Sequence, residues 1–349
     1  MKDSIHNVHI VDEKVLITPA ELKQKLPLPT ALRGQIKTHR REIADIIHKK
    51  DNRLLVVIGP CSVHDPLAAL DYAQRLKTLA DEVKDQLYIV MRVYFEKPRT
   101  TMGWKGLIND PKIDGSFDVE HGLHIARELL LELAELGLPL ATEALDPMTP
   151  QYMADLFSWS AIGARTTESQ THRELASGLS MAVGFKNGTD GSLATAINAM
   201  KAASMGHSFI GINQQGQVNL LHTEGNPDGH VILRGGKKPN YTSECVEQCE
   251  QELVKAGLES AIMIDCSHGN SNKDYRRQAT VAEDATQQIM NGNKSIIGLM
   301  IESNINAGNQ SAEQPVSEMK YGVSITDACI DWETTEQLLR KIANVLKNK

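Results

Sequence analysis

Residues 54–66 read LLVVIGPCSVHDP, an apolar run (Leu54–Ile58), a Gly-Pro break, a cysteine and an Asp-Pro pair that opens a segment with helical spacing. Short, continuously apolar runs are typical of strands buried on both faces of a sheet. An Asp followed by Pro is a favourable helix start, because Asp caps the first turn and Pro lacks only an N–H that the helix does not use. This stretch is therefore predicted to be one strand–helix unit of a parallel sheet.

The same unit recurs along the chain. The further β-rich runs are Tyr88–Val93, Leu138–Thr142, Ala161–Ala164, Ala182–Phe185, His230–Leu233, Ala261–Ile264 and Ser295–Ile301. The segments with helical spacing are Pro66–Val83, Val119–Leu136, Pro150–Ser158, Ser169–Leu179, Ser192–Ala203, Ser243–Ala256, Lys273–Met290 and Trp332–Leu346. Eight strands alternating with eight helices favour an α/β fold, a (β/α)8 TIM barrel, with an open doubly wound sheet as the competing architecture.

Three segments do not fit the repeating unit. Residues 1–50 precede the barrel and are predicted to form an N-terminal arm plus one helix, Thr30–His48, leaving 51–349 as the catalytic barrel. Phe95–Asp118 is a long loop rich in Lys, Arg, Thr and Gly. Residues 208–221 hold two β-rich runs around a Gln-Gln-Gly turn, which predicts an inserted β-hairpin.

The composition excludes several classes of protein. The chain has 349 residues with 37 basic and 44 acidic side chains, a net charge of −7, so a general nucleic-acid or anionic-membrane coat is not expected. The N-terminus lacks an apolar segment typical of a secretory signal, and the apolar runs are too short to cross a membrane. Five cysteines without a CxxC pair argue against a disulfide framework and a structural zinc site, and favour a cytoplasmic location.

Charged and metal-competent residues stand where the predicted strands end. In a parallel barrel these carboxyl ends share one rim, and that rim carries the active site. The cationic members of the set are Arg92, Lys97, Arg99, Arg165, Lys186 and Arg234. Converging bases on an acidic protein predict substrates that carry phosphate and carboxylate groups. The RGGKKP segment at 234–239 does not match a nucleotide-binding P-loop.

A second set at the same rim combines a thiol, an imidazole and two carboxylates: Cys61, His268, Glu302 and Asp327. Singly, each has an ordinary explanation; a free cysteine, for instance, is most often a small buried apolar residue. Together they make a mixed soft and hard donor set that suits a divalent transition metal. No spacing motif joins them, so the residues alone leave both interpretations open.

Long motifs then point to one family. The strings LLVVIGPCSVHDP (54–66), MRVYFEKPRTTMGWKGLINDP (91–111), AIGARTTESQTHRELASGLS (161–180), VGFKNGTDG (183–191), ILRGG (232–236), DCSHGNSNKD (265–274), IGLMIES (297–303) and GVSITDACI (322–330) stand in this order. They resemble the 3-deoxy-D-arabino-heptulosonate 7-phosphate (DAHP) synthases of the microbial, aromatic-amino-acid-regulated type, from about Val8 to the end of the chain. The resemblance implies a shikimate-pathway transferase that condenses phosphoenolpyruvate with erythrose 4-phosphate and releases phosphate.

The resemblance also implies roles for individual residues. A divalent metal, Mn²⁺ or Fe²⁺, is expected on Cys61, His268, Glu302 and Asp327. Phosphoenolpyruvate is expected on Arg92, Lys97, Glu143, Arg165, Lys186 and Arg234, and the sugar phosphate on Arg99 and Thr100. Among these, Arg165, Lys186 and Arg234 would stabilise the departing phosphate, and Lys97 would donate a proton to the new alkoxide.

Family members of this type bind an aromatic amino acid away from the barrel mouth. The matching effector residues are Pro147, Gln151, Leu179, Ser180, Phe209, Gly211 and Leu221. Glycine at 211 leaves room for a phenol hydroxyl, which favours tyrosine over phenylalanine as the inhibitor. The alternative is that Gly211 only relaxes the packing of the hairpin. The resemblance further implies a homodimer or homotetramer.

Three rival functions follow from the same residues. A metal-dependent barrel hydrolase would not need six convergent bases. A non-enzymatic sensor of sugar phosphates would leave the four metal-competent residues unexplained. A sister synthase that makes another sugar-acid phosphate differs from the favoured reading only through family resemblance around the KPRT segment at 97–100.

Overall fold

Eight parallel strands form a closed barrel in the computed structural model, which describes residues 5–348. The barrel strands are β1 (Leu54–Gly59), β2 (Leu87–Arg92), β3 (Leu140–Glu143), β4 (Trp159–Ile162), β5 (Ala182–Lys186), β8 (Gly229–Leu233), β9 (Ile262–Asp265) and β10 (Ile296–Glu302). Their order around the ring is β1-β10-β9-β8-β5-β4-β3-β2, and β2 pairs with β1 to close it. The predicted TIM barrel is confirmed, and the open sheet is excluded.

Helices connect the strands on the outside of the ring. They are α3 (Pro66–Val83), α4 (Val119–Glu135), α5 (Thr149–Met153), α6 (Gln170–Gly178), α7 (Leu193–Ala203), α8 (Ser243–Lys255), α9 (Gln278–Met290) and α10 (Trp332–Leu346), preceded by α1 (Pro19–Lys25) and α2 (Thr30–Ile47). At the start of α3 the Asp65 carboxylate accepts hydrogen bonds from the amides of Leu67 and Ala68, as the Asp-Pro pair predicts. None of the helices among the described residues is long and apolar enough to span a membrane.

Helix α2 closes the amino-terminal end of the barrel. Ile43, Ile46 and Ile47 join a cluster of buried side chains inside the ring that includes Leu55 and Trp159. His48, directly after α2, contacts Asp228 at 2.9 Å and Glu259 at 3.0 Å, on the loops that lead into β8 and β9. The carboxyl-terminal end is thereby left as the open mouth of the barrel.

The inserted hairpin lies in the connection between α7 and β8. Its antiparallel strands are β6 (Ser208–Ile212) and β7 (Val218–His222), which confirms the predicted hairpin. The N-terminal segment packs on its turn, where the amide of Ala20 donates to the carbonyl oxygen of Gln214 and Lys23 Nζ donates to the Gln214 side chain. Helix α1, which forms this contact, was not predicted.

Several predicted boundaries were wrong, and three of them show where the chain departs most clearly from the expected pattern. Strand β4 begins at Trp159 rather than Ala161, because Trp159 pairs with β3 and its indole is fully buried in the ring. Helix α5 ends at Met153 and continues only as a short 3-10 turn. Helix α9 begins at Gln278 rather than Lys273, because Asn272 and Lys273 have left-handed backbones with φ of 53° and 59° that a helix cannot contain.

Candidate active site at the open mouth of the barrel

A cleft of about 710 Å³ opens where the strands end. All eight predicted substrate residues line it: Arg92, Lys97, Arg99, Thr100, Glu143, Arg165, Lys186 and Arg234. His268 and Asp327 line it as well, whereas Cys61 and Glu302 are fully buried beneath it. The two sets of residues that the sequence singled out therefore meet at one rim.

The four metal-competent side chains converge. One donor atom each from Cys61, Glu302 and Asp327 lies within 4.8 Å of the others. His268 Nε2 lies 3.9 Å from a carboxylate oxygen of Glu302 and 3.9 Å from one of Asp327. A sulfur, an imidazole nitrogen and two carboxylate oxygens at this spacing could close around one divalent transition metal.

Glu302, at the end of β10, is held from three directions. Arg92 Nη2 donates to its Oε1 at 2.9 Å, and Ser267 Oγ donates to its Oε2 at 3.0 Å. Gln278 accepts from the Glu302 amide at 2.8 Å and donates to the Glu302 carbonyl at 2.9 Å. Burial alone would raise the pKa of this carboxyl, but the charges of Arg92, His268 and Lys97 lower it to about 2. The group is thus a fixed carboxylate, as a metal ligand must be.

Two cations flank Cys61. Lys97 Nζ lies 3.1 Å from the Cys61 sulfur, and Arg92 Nη2 donates to the Cys61 carbonyl at 3.1 Å. Burial, followed by the charge of Glu302, raises the pKa of the thiol. A bound metal would reverse this preference, because coordination removes the thiol proton.

His268 and Lys186 share one buried acid. The ring Nδ1 of His268 and the Nζ of Lys186 each lie 2.9 Å from Oδ2 of Asp265, although the ring N–H is not aligned for a regular hydrogen bond. His268 has a left-handed backbone, with φ of 52°, a strained conformation that is common at functional sites. Burial would raise the pKa of Asp265, but His268 and Lys186 hold it well below its usual value.

The remaining bases leave their charge directed into the cleft. Within residues 5–348, Arg99, Arg165 and Arg234 make no ion pair with a carboxylate; Arg165 Nε donates to Thr100 Oγ1 at 3.2 Å. The loop after β8 packs so tightly that a Cβ on Gly235 would lie 2.5 Å from the carbonyl carbon of Gly269. Glu143 contributes a buried Oε1 that has no hydrogen-bond partner in the described chain. The three arginines without carboxylate partners therefore leave positive charge available in the cleft to bind an anionic ligand.

A second pocket, of about 430 Å³, lies between the hairpin and helices α5 and α6. All seven residues predicted for the effector line it: Pro147, Gln151, Leu179, Ser180, Phe209, Gly211 and Leu221. Lys23 and Arg40 from the N-terminal segment line it too; the family resemblance implies that the N-terminal arm takes part in effector binding, but these two residues were not predicted individually. A Cβ on Gly211 would lie 2.6 Å from Cδ1 of Leu221, so this position controls the shape of the pocket.

Residues that support the site were harder to find from sequence. Asp265, Ser267 and Gln278 were not assigned roles from the sequence. Asp265 stands at the carboxyl end of β9, which is a usable signal. Gln278 gave none, because a glutamine at the start of an amphipathic helix normally faces solvent, whereas this one is fully buried.

Comparison with known proteins agrees with this geometry. The profile of the DAHP synthetase I family matches residues 20–340. The chain is 71% identical over 341 residues to the Tyr-sensitive phospho-2-dehydro-3-deoxyheptonate aldolase of Escherichia coli (strain K12), covering 98% of this chain and 96% of the relative. It is 54% identical over 341 residues to the Phe-sensitive enzyme of the same organism, covering 98% of this chain and 97% of that relative.

A solved structure shows the same fold. The phospho-2-dehydro-3-deoxyheptonate aldolase of Francisella tularensis SCHU S4 aligns with a TM-score of 0.94 and 49% identity, covering 97% of this chain and 98% of that one. Because the matches cover nearly the whole of this chain and of its relatives, they favour this family over the hydrolase, sensor and sister-synthase alternatives. The chain belongs to the DAHP synthetase I family.

Proposed function

We propose that the open mouth of the barrel carries out the reaction of this family, the condensation of phosphoenolpyruvate with erythrose 4-phosphate to DAHP and phosphate, which is the first step of the shikimate pathway. The observation that supports this most directly is the convergence of four metal-competent side chains beside unpaired bases in one cleft. Two phosphorylated substrates need those bases, and the aldehyde of one of them needs an electrophilic partner.

Cys61, His268, Glu302 and Asp327 would hold the divalent metal. Their donor chemistry suits Mn²⁺ or Fe²⁺, since the carboxylates favour hard ions and the thiolate and imidazole favour softer ones. Lewis acidity toward the aldehyde oxygen of the sugar phosphate is the chemistry that such an ion supplies when bound. The Glu302 carboxylate, already ionised and fixed by Arg92 and Ser267, requires no rearrangement to accept it.

Arg92, Lys186 and Arg234 would hold the carboxylate and phosphate of phosphoenolpyruvate, together with Arg165. The KPRT segment, with Arg99 and Thr100, would hold the phosphate of the four-carbon sugar. Bidentate arginine contacts fix both substrates, so that C3 of phosphoenolpyruvate faces the aldehyde carbon. Orientation by fixed charges is therefore the main contribution of the chain before any bond forms.

The bond changes then follow. A carbon–carbon bond forms between C3 and the aldehyde carbon, and the aldehyde oxygen takes a proton from Lys97. Water adds to C2, which has lost electron density, and releases a proton. The resulting hemiketal phosphate loses inorganic phosphate by C–O cleavage, and Arg165, Lys186 and Arg234 stabilise the charge on the departing group.

Phosphate release on mixing the two substrates, with and without a chelator, tests this function. We expect release only when both substrates and a divalent metal are present. Phosphate release from phosphoenolpyruvate alone would indicate a hydrolase instead, and release that is insensitive to chelation would contradict the metal site.

The pocket beneath the hairpin is proposed to bind an aromatic amino acid as a feedback inhibitor, with tyrosine favoured. Phe209, Leu221 and Leu179 supply apolar surface for the ring, and the small Gly211 leaves space for its hydroxyl. Relatives named Tyr-sensitive share more of the sequence than the one named Phe-sensitive. Inhibition assays with tyrosine, phenylalanine and tryptophan separate the possibilities.

Residues 1–50 are proposed to serve regulation and assembly, and 51–349 to form the catalytic barrel. The N-terminal segment exposes Ile5, Val11 and Val15 almost completely, which favours a homodimer or homotetramer in which another subunit covers them. Five free cysteines favour the reducing cytoplasm. Sedimentation of the protein gives the number of subunits directly.

A further inference from the structure

Asp265 lies between the two halves of the active site. It is fully buried, at the carboxyl end of β9. Its Oδ2 is 2.9 Å from the ammonium nitrogen of Lys186, one of the cationic side chains proposed to bind the anionic substrate. The same oxygen is 2.9 Å from Nδ1 of His268, whose Nε2 faces Glu302 and Asp327. One carboxylate oxygen therefore contacts both a substrate-binding lysine and a metal-binding histidine.

The position of this carboxylate is fixed by its surroundings. Its other oxygen, Oδ1, accepts a hydrogen bond from the Ser267 amide at 2.9 Å. The backbone carbonyl of Asp265 accepts from the buried side chain of Asn270, also at 2.9 Å. Asp265 thus cannot move toward Lys186 or His268 without losing these hydrogen bonds. A displacement of Lys186 therefore changes how strongly the carboxylate interacts with His268, while the position of the carboxylate stays the same.

We propose that Asp265 is a positioning residue that couples metal binding to phosphoenolpyruvate binding, a role that rests on the proposed metal and substrate sites. The Asp265 carboxylate, 2.9 Å from Nδ1 though not aligned for a regular hydrogen bond, favours the proton on that nitrogen through its charge. Nε2 is then free to bind a metal, and the imidazole is a stronger ligand. An anionic substrate that draws the ammonium of Lys186 toward itself releases part of the carboxylate's charge to His268. Metal binding is strengthened as a result, and by reciprocity the metal strengthens substrate binding.

The coupling is measurable without turnover. Free Mn²⁺ is titrated by electron paramagnetic resonance in the absence of phosphoenolpyruvate and at saturating phosphoenolpyruvate, and the ratio of the two dissociation constants is the coupling factor. In Asp265→Asn we expect Mn²⁺ to bind about 10- to 100-fold more weakly. We also expect the coupling factor to fall by at least about threefold, because only the direct attraction between metal and substrate remains.

Ser267→Ala is the matched control. It removes the hydroxyl bond to Glu302 but keeps the amide bond to Asp265, so it weakens Mn²⁺ binding while leaving the coupling factor at the wild-type value. If the two substitutions only disordered the site, the coupling factor would fall equally in Asp265→Asn and in Ser267→Ala. An Asp265→Asn coupling factor equal to that of the wild type overturns the proposal.

A measurement on the unsubstituted protein guards against poor folding of the variant. In metal-free protein labelled with ¹⁵N-histidine, the Nδ1 resonance of His268, assigned with His268→Gln, should shift when phosphoenolpyruvate is added. An unchanged resonance at saturating substrate contradicts the coupling. The underlying metal assignment fails separately, and recognisably, if His268→Gln binds Mn²⁺ as tightly as the wild type.

Discussion

The ammonium nitrogen of Lys97 lies 3.1 Å from the sulfur of Cys61 and 3.3 Å from the carbonyl oxygen of the same residue. Cys61 follows β1 and Lys97 stands in the loop after β2, so two neighbouring strands deliver them to one point. The proposed proton donor is therefore in contact with a proposed metal ligand, yet it is a cation and cannot bind the metal itself.

This contact makes the role of Lys97 testable. Lys97→Met keeps the length of the side chain but removes its proton and charge, so we expect kcat to fall by about 100- to 10,000-fold. The Mn²⁺ content per chain should not fall, because removing a positive charge does not weaken a cation site. Lys105→Met, on the exposed surface of the same loop, is the control and should behave like the wild type. Equal losses of turnover and metal would refute a role in proton transfer.

Removal of the metal should abolish activity. Dialysis against a chelator is expected to stop phosphate release, and Mn²⁺ or Fe²⁺ should restore it. Cys61→Ser replaces a soft thiolate by a neutral hydroxyl, so we expect metal affinity to fall by at least about tenfold. Cys245→Ser, on helix α8, is the matched control for the loss of one thiol. A Cys61→Ser enzyme with full activity and full metal affinity would contradict the ligand assignment.

The hairpin pocket predicts the effect of a single substitution. In Gly211→Ser the new side chain would collide with Leu221, whose displacement narrows the pocket. We expect the tyrosine concentration for half inhibition to rise by about tenfold or more, on the scale that small changes in a pocket produce. Turnover without effector is measured on the same preparation, to show that the barrel is intact. Potent inhibition of the unsubstituted enzyme by phenylalanine alone would defeat the argument from Gly211.

Glu96 predicts a dependence of stability on pH. It is buried, it accepts a hydrogen bond from Thr149, and burial followed by the charge of Asp146 raises its pKa to about 8. The folded protein therefore holds a proton that the unfolded chain releases above about pH 4.5, and the stabilising contribution is lost as the pH rises toward 8.

Glu96→Gln removes this dependence. From pH 5 to pH 8 the free energy of unfolding of Glu96→Gln should rise relative to that of the wild type, by on the order of a few kcal/mol. Thermal or denaturant unfolding of both proteins across this pH range measures the change. Glu135→Gln, on the exposed face of helix α4, is the control and should show no such trend. A constant difference between Glu96→Gln and the wild type across this range would show that Glu96 is ionised in the folded protein.

The barrel and its rim could be predicted from sequence because both follow local rules. Continuous apolar runs indicate buried strands, and the residue after each run has to appear at one end of a parallel ring. That reasoning placed Arg92, Lys186 and Arg234 together correctly. The residues predicted for the effector were different, since Pro147 and Phe209 are joined by no periodicity or spacing, and only the resemblance to a family connected them.

The supporting residues could not be predicted for a physical reason. Gln278 fixes Glu302, 24 positions away in the sequence, through hydrogen bonds to its backbone amide and carbonyl. Every residue has these backbone groups, so the sequence does not indicate which of them a side chain will contact. The start of α9 likewise depends on the left-handed conformations of Asn272 and Lys273, which the loop imposes and the residue types only permit. Side chains that act on the main chain are therefore found from coordinates.

The hairpin interrupts a crossover, yet β5 and β8 still pair directly in the ring. The pairing of the barrel strands does not involve β6 and β7, so the sequence of the hairpin can change while the barrel that carries the proposed active site is kept. If the hairpin pocket binds the inhibitor as proposed, duplicated copies of such a chain can evolve inhibition by different end products through a few substitutions in the hairpin. Each copy would keep the same chemistry at the carboxyl-terminal ends of the barrel strands.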